Sequence, residues 1–292
     1  MKIAIYGKSF NQDFDESIRL LFARLSEQKA ETYFYAKFAQ YLQNEKGIEF
    51  KAAGIFDSYL SLDSNMDCML SIGGDGTFLE TVSIIGDKNI PIIGFNTGRL
   101  GFLSNIAKEE IIESIDAILH KQTSIEERTL LEVDSGGQLF GNSKYAFNEI
   151  TIQKTRTSMI SIQAWVNGEY LNTYWADGLI VCTPSGSTAY SLSVGGPIMS
   201  PDSGTFIISP IAPHNLAVRP IIIPDNCEIT LKAESRDNIL QASADYLSEV
   251  FSGKLELKLR KAPFTVKMLR LDANSFFSTL RNKLLWGADK RN

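Results

Sequence analysis

Met69-Leu70-Ser71-Ile72-Gly73-Gly74-Asp75-Gly76-Thr77-Phe78-Leu79-Glu80-Thr81-Val82-Ser83-Ile84-Ile85 passes from a short apolar run, through a glycine-rich bend, into a segment with helical spacing. Phe78, Leu79, Val82 and Ile85 fall at i, i+1, i+4 and i+7, one face of a helix, whereas a hairpin turning at Asp75-Gly76 demands period-two alternation on both sides. The reading is therefore strand, glycine bend, helix. Glycines without Cβ atoms let the backbone approach a ligand, and amides freed where a loop meets a helix act as anion donors. Gly73, Gly74, Gly76 and Thr77 thus form a candidate phosphate loop. Asp75 is the only ionisable side chain in it, placed to take a proton from a hydroxyl attacking that phosphate.

Working toward the N-terminus, residues 2–6 read as a buried strand broken by Gly7, and Ile18, Leu21, Phe22 and Leu25 mark a helix with Asp13 or Asp15 near its start. A second helical stretch is expected over about residues 31–44, followed by residues 48–50, the strand 66–72 and another strand at 90–95. Strands alternating with helices over the first hundred residues predict a Rossmann-like parallel sheet, where ligands gather at the carboxyl ends of the strands. After the first strand the chain reads Gly7-Lys8-Ser9-Phe10-Asn11, not Gly-x-Gly-x-x-Gly, so a hydride-transfer enzyme lacks its dinucleotide fingerprint.

Beyond Gly101 the texture changes. One helix is expected at 108–120, and short β-type segments dominate after it, at 130–133, 146–153, 179–182, 205–208, 229–232, 255–259 and 264–271. Ile160, Ile162, Ala164 and Val166 alternate up to Asn167-Gly168, a hairpin turn signal. The tail from Asn274 to Trp286 places Phe276, Phe277, Leu280 and Leu284 on one helical face suited to packing on the body. The expected fold is α/β: a parallel-sheet domain over residues 1–101, a β-rich domain over 102–262, and a segment over 263–292 returning to the first.

The 292 residues suit two domains with separate cores. Acidic residues outnumber basic ones by 34 to 29, a formal net charge of −5, so no broad polyanion-binding surface is announced and nucleic acid is not an expected partner. Cys68, Cys182 and Cys227 lie far apart in apolar runs without metal spacing, and read as buried reduced thiols. No apolar run reaches membrane-spanning length, and residues 1–6 carry no signal-peptide pattern, so a cytoplasmic location is expected.

A second cluster runs from Asp177 to Ser193, where six hydroxyls besides Tyr190 fall within eleven positions, followed by Gly195-Gly196-Pro197. Helix capping alone explains Ser187 or Thr188; the whole run looks like a surface for sugar hydroxyls, phosphates and a base stacked on an aromatic ring. Asn148-Glu149 sits in the apolar frame Tyr145-Ala146-Phe147 and Ile150-Thr151-Ile152, where burial would demand hydrogen-bond partners. By itself that dipeptide reads more simply as an edge strand with both side chains in water.

Taken in order, Gly73 to Thr77, Gly94-Phe95-Asn96-Thr97-Gly98-Arg99-Leu100-Gly101-Phe102-Leu103, Asn148-Glu149 and Asp177 through Ser193 closely resemble the NAD kinase family over nearly the whole chain. The resemblance implies that Asp75 accepts the proton of the adenosine ribose 2′-hydroxyl of NAD⁺ and that Asp75 and Gly76 contact the dinucleotide. Asn148 and Glu149 would hold adenosine-side groups, Asp177 would bind substrate, Thr188, Ala189, Tyr190, Ser191, Leu192 and Ser193 would line its pocket, and Ala212 would touch ligand. It further implies a site in the cleft between the domains, and a homodimer or homotetramer in which a neighbouring subunit reaches the substrate. ATP or polyphosphate would be the phosphoryl donor, with Mg²⁺ or another divalent metal held mainly by phosphates and water, so no protein metal-ligand set is expected. His214, within Pro210-Ile211-Ala212-Pro213-His214, reads equally as a structural or a catalytic group. The chain departs from the family where an Asp-Gly-Gln triplet is common, carrying Ala244-Asp245-Tyr246-Leu247 instead. Phe78 and Trp175 stand beside matched motifs, where their size bears on nicotinamide-side selectivity.

The competing readings are a lipid kinase of the diacylglycerol or sphingosine type, a phosphofructokinase and a non-catalytic dinucleotide sensor. The lipid kinases share the glycine loop, but this chain has Asn96-Thr97-Gly98-Arg99-Leu100 where they resemble Gly-Thr-Gly-Asn-Asp. No Thr-Ile-Asp-Asn-Asp-like segment supports a phosphofructokinase, and no Gly-x-Ser-x-Gly elbow supports a serine hydrolase.

Overall fold

The computed structural model describes residues 1–98, 101–141, 143–271 and 275–286, so Arg99, Leu100 and Asn274 of the segments above lie outside the described residues. The chain forms two compact units, Met1–Glu127 with the described residues from Val266 onward, and Arg128–Thr265.

The first unit contains β1 (Lys2–Gly7), α1 (Asp15–Glu27), β2 (Glu31–Tyr35), α2 (Ala36–Asn44), β3 (Gly54–Phe56), β4 (Cys68–Ile72), α3 (Asp75–Ile85), β5 (Ile92–Phe95) and α4 (Ile111–Leu119). Its strands pair in parallel in the order β5-β4-β1-β2-β3. Helices on the faces of a parallel sheet remove both faces from water, which is why β4 reads Cys-Met-Leu-Ser-Ile with every residue buried. From β1 the chain moves to one side of the sheet, and β4 and β5 return on the other. The carboxyl ends of β1 and β4 therefore flank the topological switch point, the place where open α/β sheets bind ligands.

Residues 31–35 form a strand, not the start of the helix expected there. Thr32, Tyr33, Phe34 and Tyr35 are β-branched or aromatic, and the helical face of α2 begins only at Phe38, Ala39 and Leu42. Residues 48–50 carry no strand; the edge strand is β3. The division between units falls at Glu127/Arg128, beyond the expected 101/102. Ile111, Ile115 and Ile118 of α4 share a core with Leu21 and Leu25 of α1, and Asp116 accepts from Arg24 Nε and Nη2 at 2.7 and 3.1 Å.

The next strand, β6 (Ser124–Asp134), enters the second unit at Arg128. There follow β7 (Tyr145–Ala146), β8 (Glu149–Lys154), β9 (Ile160–Val166), β10 (Glu169–Ala176), β11 (Gly178–Cys182), the short helix α5 (Tyr190–Ser193), β12 (Thr205–Ile211), β13 (Ile221–Pro224), β14 (Ile229–Ser235), β15 (Ile239–Ala244), β16 (Leu247–Ser252) and β17 (Leu255–Arg270). Two antiparallel arrays result, β10-β9-β14-β17 and β13-β12-β11-β8-β15-β16. Ile162, Ala164, Leu231 and Leu257 of the first share one core with Ile150, Ile152, Leu179, Val181, Phe206 and Ile208 of the second. Asn167 and Gly168 turn the β9–β10 hairpin with φ of 51° and 80°, as the dipeptide predicted.

The two strands expected at 255–259 and 264–271 are one continuous β17, whose last residues belong to the first unit and pair Met268 with Ile92 of β5. The final helix, α6 (Phe276–Leu284), is capped by Ser275 and buries Leu280, while Phe277 is exposed. Among the described residues no helix is long and apolar enough to cross a membrane.

Candidate functional site

In the first unit Gly73 and Gly74 turn the chain out of β4, and Asp75 and Gly76 already belong to the first turn of α3. An ideal Cβ at Gly74 or Gly76 would meet nothing within 4 Å, so packing does not demand glycine there, and the space above both is open. That favours a close-approaching ligand over a purely structural bend. Gly76→Ala should accordingly raise thermal stability slightly, by about 0.5–1 kcal/mol for a helical position, while raising the KM of the phosphate-bearing substrates at least tenfold. Unchanged KM values in steady-state assays would remove Gly76 from the ligand surface.

The half-buried Asp75 carboxylate is clamped. Its Oδ2 accepts from the Phe102 amide at 2.9 Å, and Oδ1 accepts from Leu103 and Ser104 at 3.1 and 2.9 Å. A carboxylate offers about four acceptor positions, so one direction on Oδ2 remains for a hydroxyl. Glycines in and after β5 serve this clamp: a Cβ on Gly101 would fall 1.8 Å from Asp75 Oδ1, and one on Gly94, within β5, would fall 2.7 Å from the Ser104 Cα. Asn96 closes the same turn, donating from Nδ2 to Ser104 O and accepting the Gly98 amide at 2.7 Å.

Lys8, which follows β1 at the switch point, donates its amide to Ile72 O at 3.3 Å and pairs its amine with Glu80 of α3, whose carboxylate also accepts from the Tyr6 hydroxyl at 2.6 Å. Sequence reasoning gave Lys8 and Glu80 no part. Phe78 is fully buried in the first unit.

In the second unit Asn148 and Glu149 are not on a solvated edge; they are 8% and 9% exposed, at the start of the interior strand β8. Asp245 holds them. Sitting in the tight β15–β16 turn with φ of 50°, it accepts the amides of Phe147, Asn148 and Glu149 at 2.7, 2.8 and 3.1 Å. The triplet region thus supplies a clamp, and Leu247, where the family glutamine was expected, packs against the apolar core.

The hydroxyl-rich run is largely inward. Thr183 donates to Phe147 O at 2.6 Å and accepts from the Gly186 amide, Ser187 donates to Pro184 O and accepts from Met199, Thr188 donates to Ser185 O, and Ser191 shares a bond with Ser209. Ser185 accepts from the Arg128 guanidinium at 3.1 Å. These bonds shape the turn; Ser191 is fully buried, so of the expected lining only Tyr190 and Ser193 are exposed, with Thr188, Ala189 and Leu192 half-buried. The turn lies against Asn148, since a Cβ on Gly186 would fall 2.1 Å from Asn148 O, and the Tyr190 amide reaches Glu149.

Asp177 and Ala212 lie elsewhere in this unit. The Asp177 amide donates to Ile211 O at 2.9 Å, its carboxylate pairs with Lys154 at 2.6 Å, and Ala212 has a φ of 44°. Glu149 faces Cys182 across the β8–β11 pairing, and Asp177, immediately before β11, is five residues from Cys182, about 17 Å at strand rise. One copy of the unit does not bring the two groups together. His214 donates its amide to the carbonyl of the half-exposed Trp175, which lies two residues before Asp177.

Burial, then the charge of Asp245, pushes Glu149 up to about 8 against the pull of the Tyr190 amide, while burial raises Asp245 to about 6 against its three amides. The amide-bonded partner keeps the charge and Glu149 keeps the proton. A group whose folded pKa lies above its unfolded value of 4.5 stabilises least where it must ionise, so its contribution is intact below about pH 4.5 and lost as pH rises toward 8. Glu149→Gln should therefore raise Tm relative to the parent at pH 8, by a few kcal/mol of stability, and by much less at pH 5. An equal Tm difference at both pH values in melting curves would contradict the protonated state.

Among the described residues no three His, Cys, Asp or Glu side chains are grouped to hold a metal ion. With three of its acceptor positions taken, Asp75 offers little to a metal shell.

Residues 23–123 match the family described as the ATP-NAD kinase N-terminal domain, and residues 147–271 match the ATP-NAD kinase C-terminal domain. The chain is 43% identical to an NAD kinase of Flavobacterium psychrophilum and 44% identical to one of Bacteroides fragilis, each match covering 100% of both sequences. Among solved structures it resembles an NAD kinase from Archaeoglobus fulgidus in complex with ATP, with a TM-score of 0.75, 25% identity and coverage of 98% of this chain and 99% of that one. The fold also matches yeast NADH kinase complexed with NADH, with a TM-score of 0.85 over 100% of this chain and 89% of that one at 23% identity.

Proposed function

Because the chain belongs to the NAD kinase family, we propose that it transfers the γ-phosphoryl group of ATP to the 2′-hydroxyl of the adenosine ribose of NAD⁺, making NADP⁺. The observation that carries the mechanism is the clamped Asp75 with one acceptor direction open beside the glycine bend. The ribose oxygen bonds to the γ-phosphorus, the bond from that phosphorus to its bridging oxygen breaks, ADP leaves with the electron pair, and Asp75 takes the hydroxyl proton. Amides at the start of α3 and the open surface of Gly74 and Gly76 receive phosphate oxygens, where the N-terminal end of a helix favours negative charge. A divalent cation, expected as magnesium, would neutralise phosphate charge there.

Asn148, Glu149 and Tyr190 are proposed to hold the adenosine side, with Thr188, Ala189, Leu192 and Ser193 around them. Ser191 would act from behind, since its hydroxyl is bonded to Ser209. Asp177 and Ala212, remote from that group in one chain, are assigned to a neighbouring copy's site in a homodimer or homotetramer; a fully active monomer in sedimentation would remove this assignment. The working location is proposed to be the cytoplasm.

Turnover measured with ATP and polyphosphate as donors against NAD⁺, NADH and diacylglycerol tests the reading. NADP⁺ from NAD⁺ and ATP is expected. Tight NAD⁺ binding without product at saturating ATP and Mg²⁺ would favour the sensor, and phosphorylated lipid would favour the lipid kinase.

A further inference from the structure

We propose that Glu149 meets the nucleoside as a neutral carboxylic acid, held so by its burial and by the Asp245 carboxylate that organises its loop, and donates its proton from Oε2 to an acceptor atom of the ligand. This rests on the kinase reading only for the identity of the ligand.

Glu149 Oε2 is buried and has no hydrogen-bond partner, in a residue more than nine-tenths buried. Such an oxygen is costly unless something arrives to meet it. Asp245 contributes a carboxylate from the β15–β16 turn, Cys182 on β11 contributes a thiol that burial pushes up to about 12, and Tyr190 at the start of α5 contributes its backbone amide. Among the described residues no Lys, Arg or His pairs with Glu149 or Asp245.

Two carboxyl groups without a cation do not both ionise in an enclosed space, and the three amides of residues 147–149 decide which one does. Asp245 takes the charge. Glu149 is left with an O–H, and the difference is qualitative: an ionised glutamate only accepts, a neutral one donates. The complementary ligand atom is then an acceptor, a purine ring nitrogen or a sugar oxygen, and not an exocyclic amine. Asp245 is a positioning residue twice over, fixing the backbone of Asn148-Glu149 and reinforcing the protonated state that burial favours in Glu149.

The test is the KM for NAD⁺ at saturating ATP from pH 6 to 9.5, for the parent and three variants. In the parent, KM should be flat at low pH and climb up to tenfold per pH unit above about 8, the value to which the buried acid is raised. Glu149→Gln, which donates from the same place and cannot ionise, should show no climb and should lie at least tenfold below Glu149→Ala at pH 7. Asp245→Asn, which removes the neighbouring charge, should move the climb to lower pH. A flat parent profile, or Glu149→Gln as impaired as Glu149→Ala, overturns the proposal. If the parent forms no NADP⁺, the kinase reading fails instead, and NAD⁺ affinity by calorimetry over the same pH range, read by the same criteria, still decides the state of Glu149.

Discussion

Asp75→Asn is expected to lower kcat for NADP⁺ formation by about 10²–10⁴-fold, the usual contribution of a positioned general base, while NAD⁺ affinity changes by no more than a few-fold. Asparagine keeps the size of the side chain but loses the proton acceptor. It also disturbs the clamp, because an amide nitrogen cannot accept a backbone N–H. With its oxygen turned to Leu103 and Ser104, the variant leaves the Phe102 amide without its carboxylate partner, at a cost of about 1–3 kcal/mol. Activity and stability should therefore fall together, activity far more. Rapid-quench kinetics beside thermal melts check both, and a kcat within threefold of the parent would remove Asp75 from the chemical step.

Gly101→Ala should be nearly as damaging although residue 101 bears no reactive group. Its new Cβ would stand 1.8 Å from Asp75 Oδ1 and 2.5 Å from Cγ, overlaps that neither a rotamer change at residue 101 nor a small backbone shift relieves. Either the carboxylate leaves its amides or the turn through Ser104 moves. A displacement near 1 Å at a reacting group costs on the order of 10²-fold in rate, so kcat should drop by at least that much, with a loss of stability from the broken amide bonds. Normal kcat in this variant would show that the clamp does not set the position of the base.

Local periodicity made much of the first unit legible, because β4, the glycine bend and α3 announce themselves within seventeen residues. The hairpin at Asn167-Gly168 was equally local. Misreading residues 31–35 as helix came from extending the α2 pattern backwards across an aromatic, β-branched run that the sheet claims for β2. The two clamps were out of reach for another reason. Asp75 binds amides 27 to 29 residues away and Asp245 binds amides 96 to 98 residues away, and a backbone amide leaves no trace in residue type. Only the glycines at 94, 101 and 186 hinted that something packs closely there. The hydroxyls from Thr183 to Ser191 misled in the opposite direction, since residue type invites a ligand and the structure uses most of them to bond the turn to itself.

The central claim is that Asp75 Oδ2 receives the proton of the reacting ribose hydroxyl. A crystal structure of the chain with NAD⁺, a non-hydrolysable ATP analogue and Mg²⁺ measures this directly. The adenosine 2′-oxygen is expected at hydrogen-bond distance, about 2.6–3.2 Å from Asp75 Oδ2, with the three amides still on the carboxylate. A 2′-oxygen facing another side chain, with Asp75 engaged only by its own turn, would contradict it.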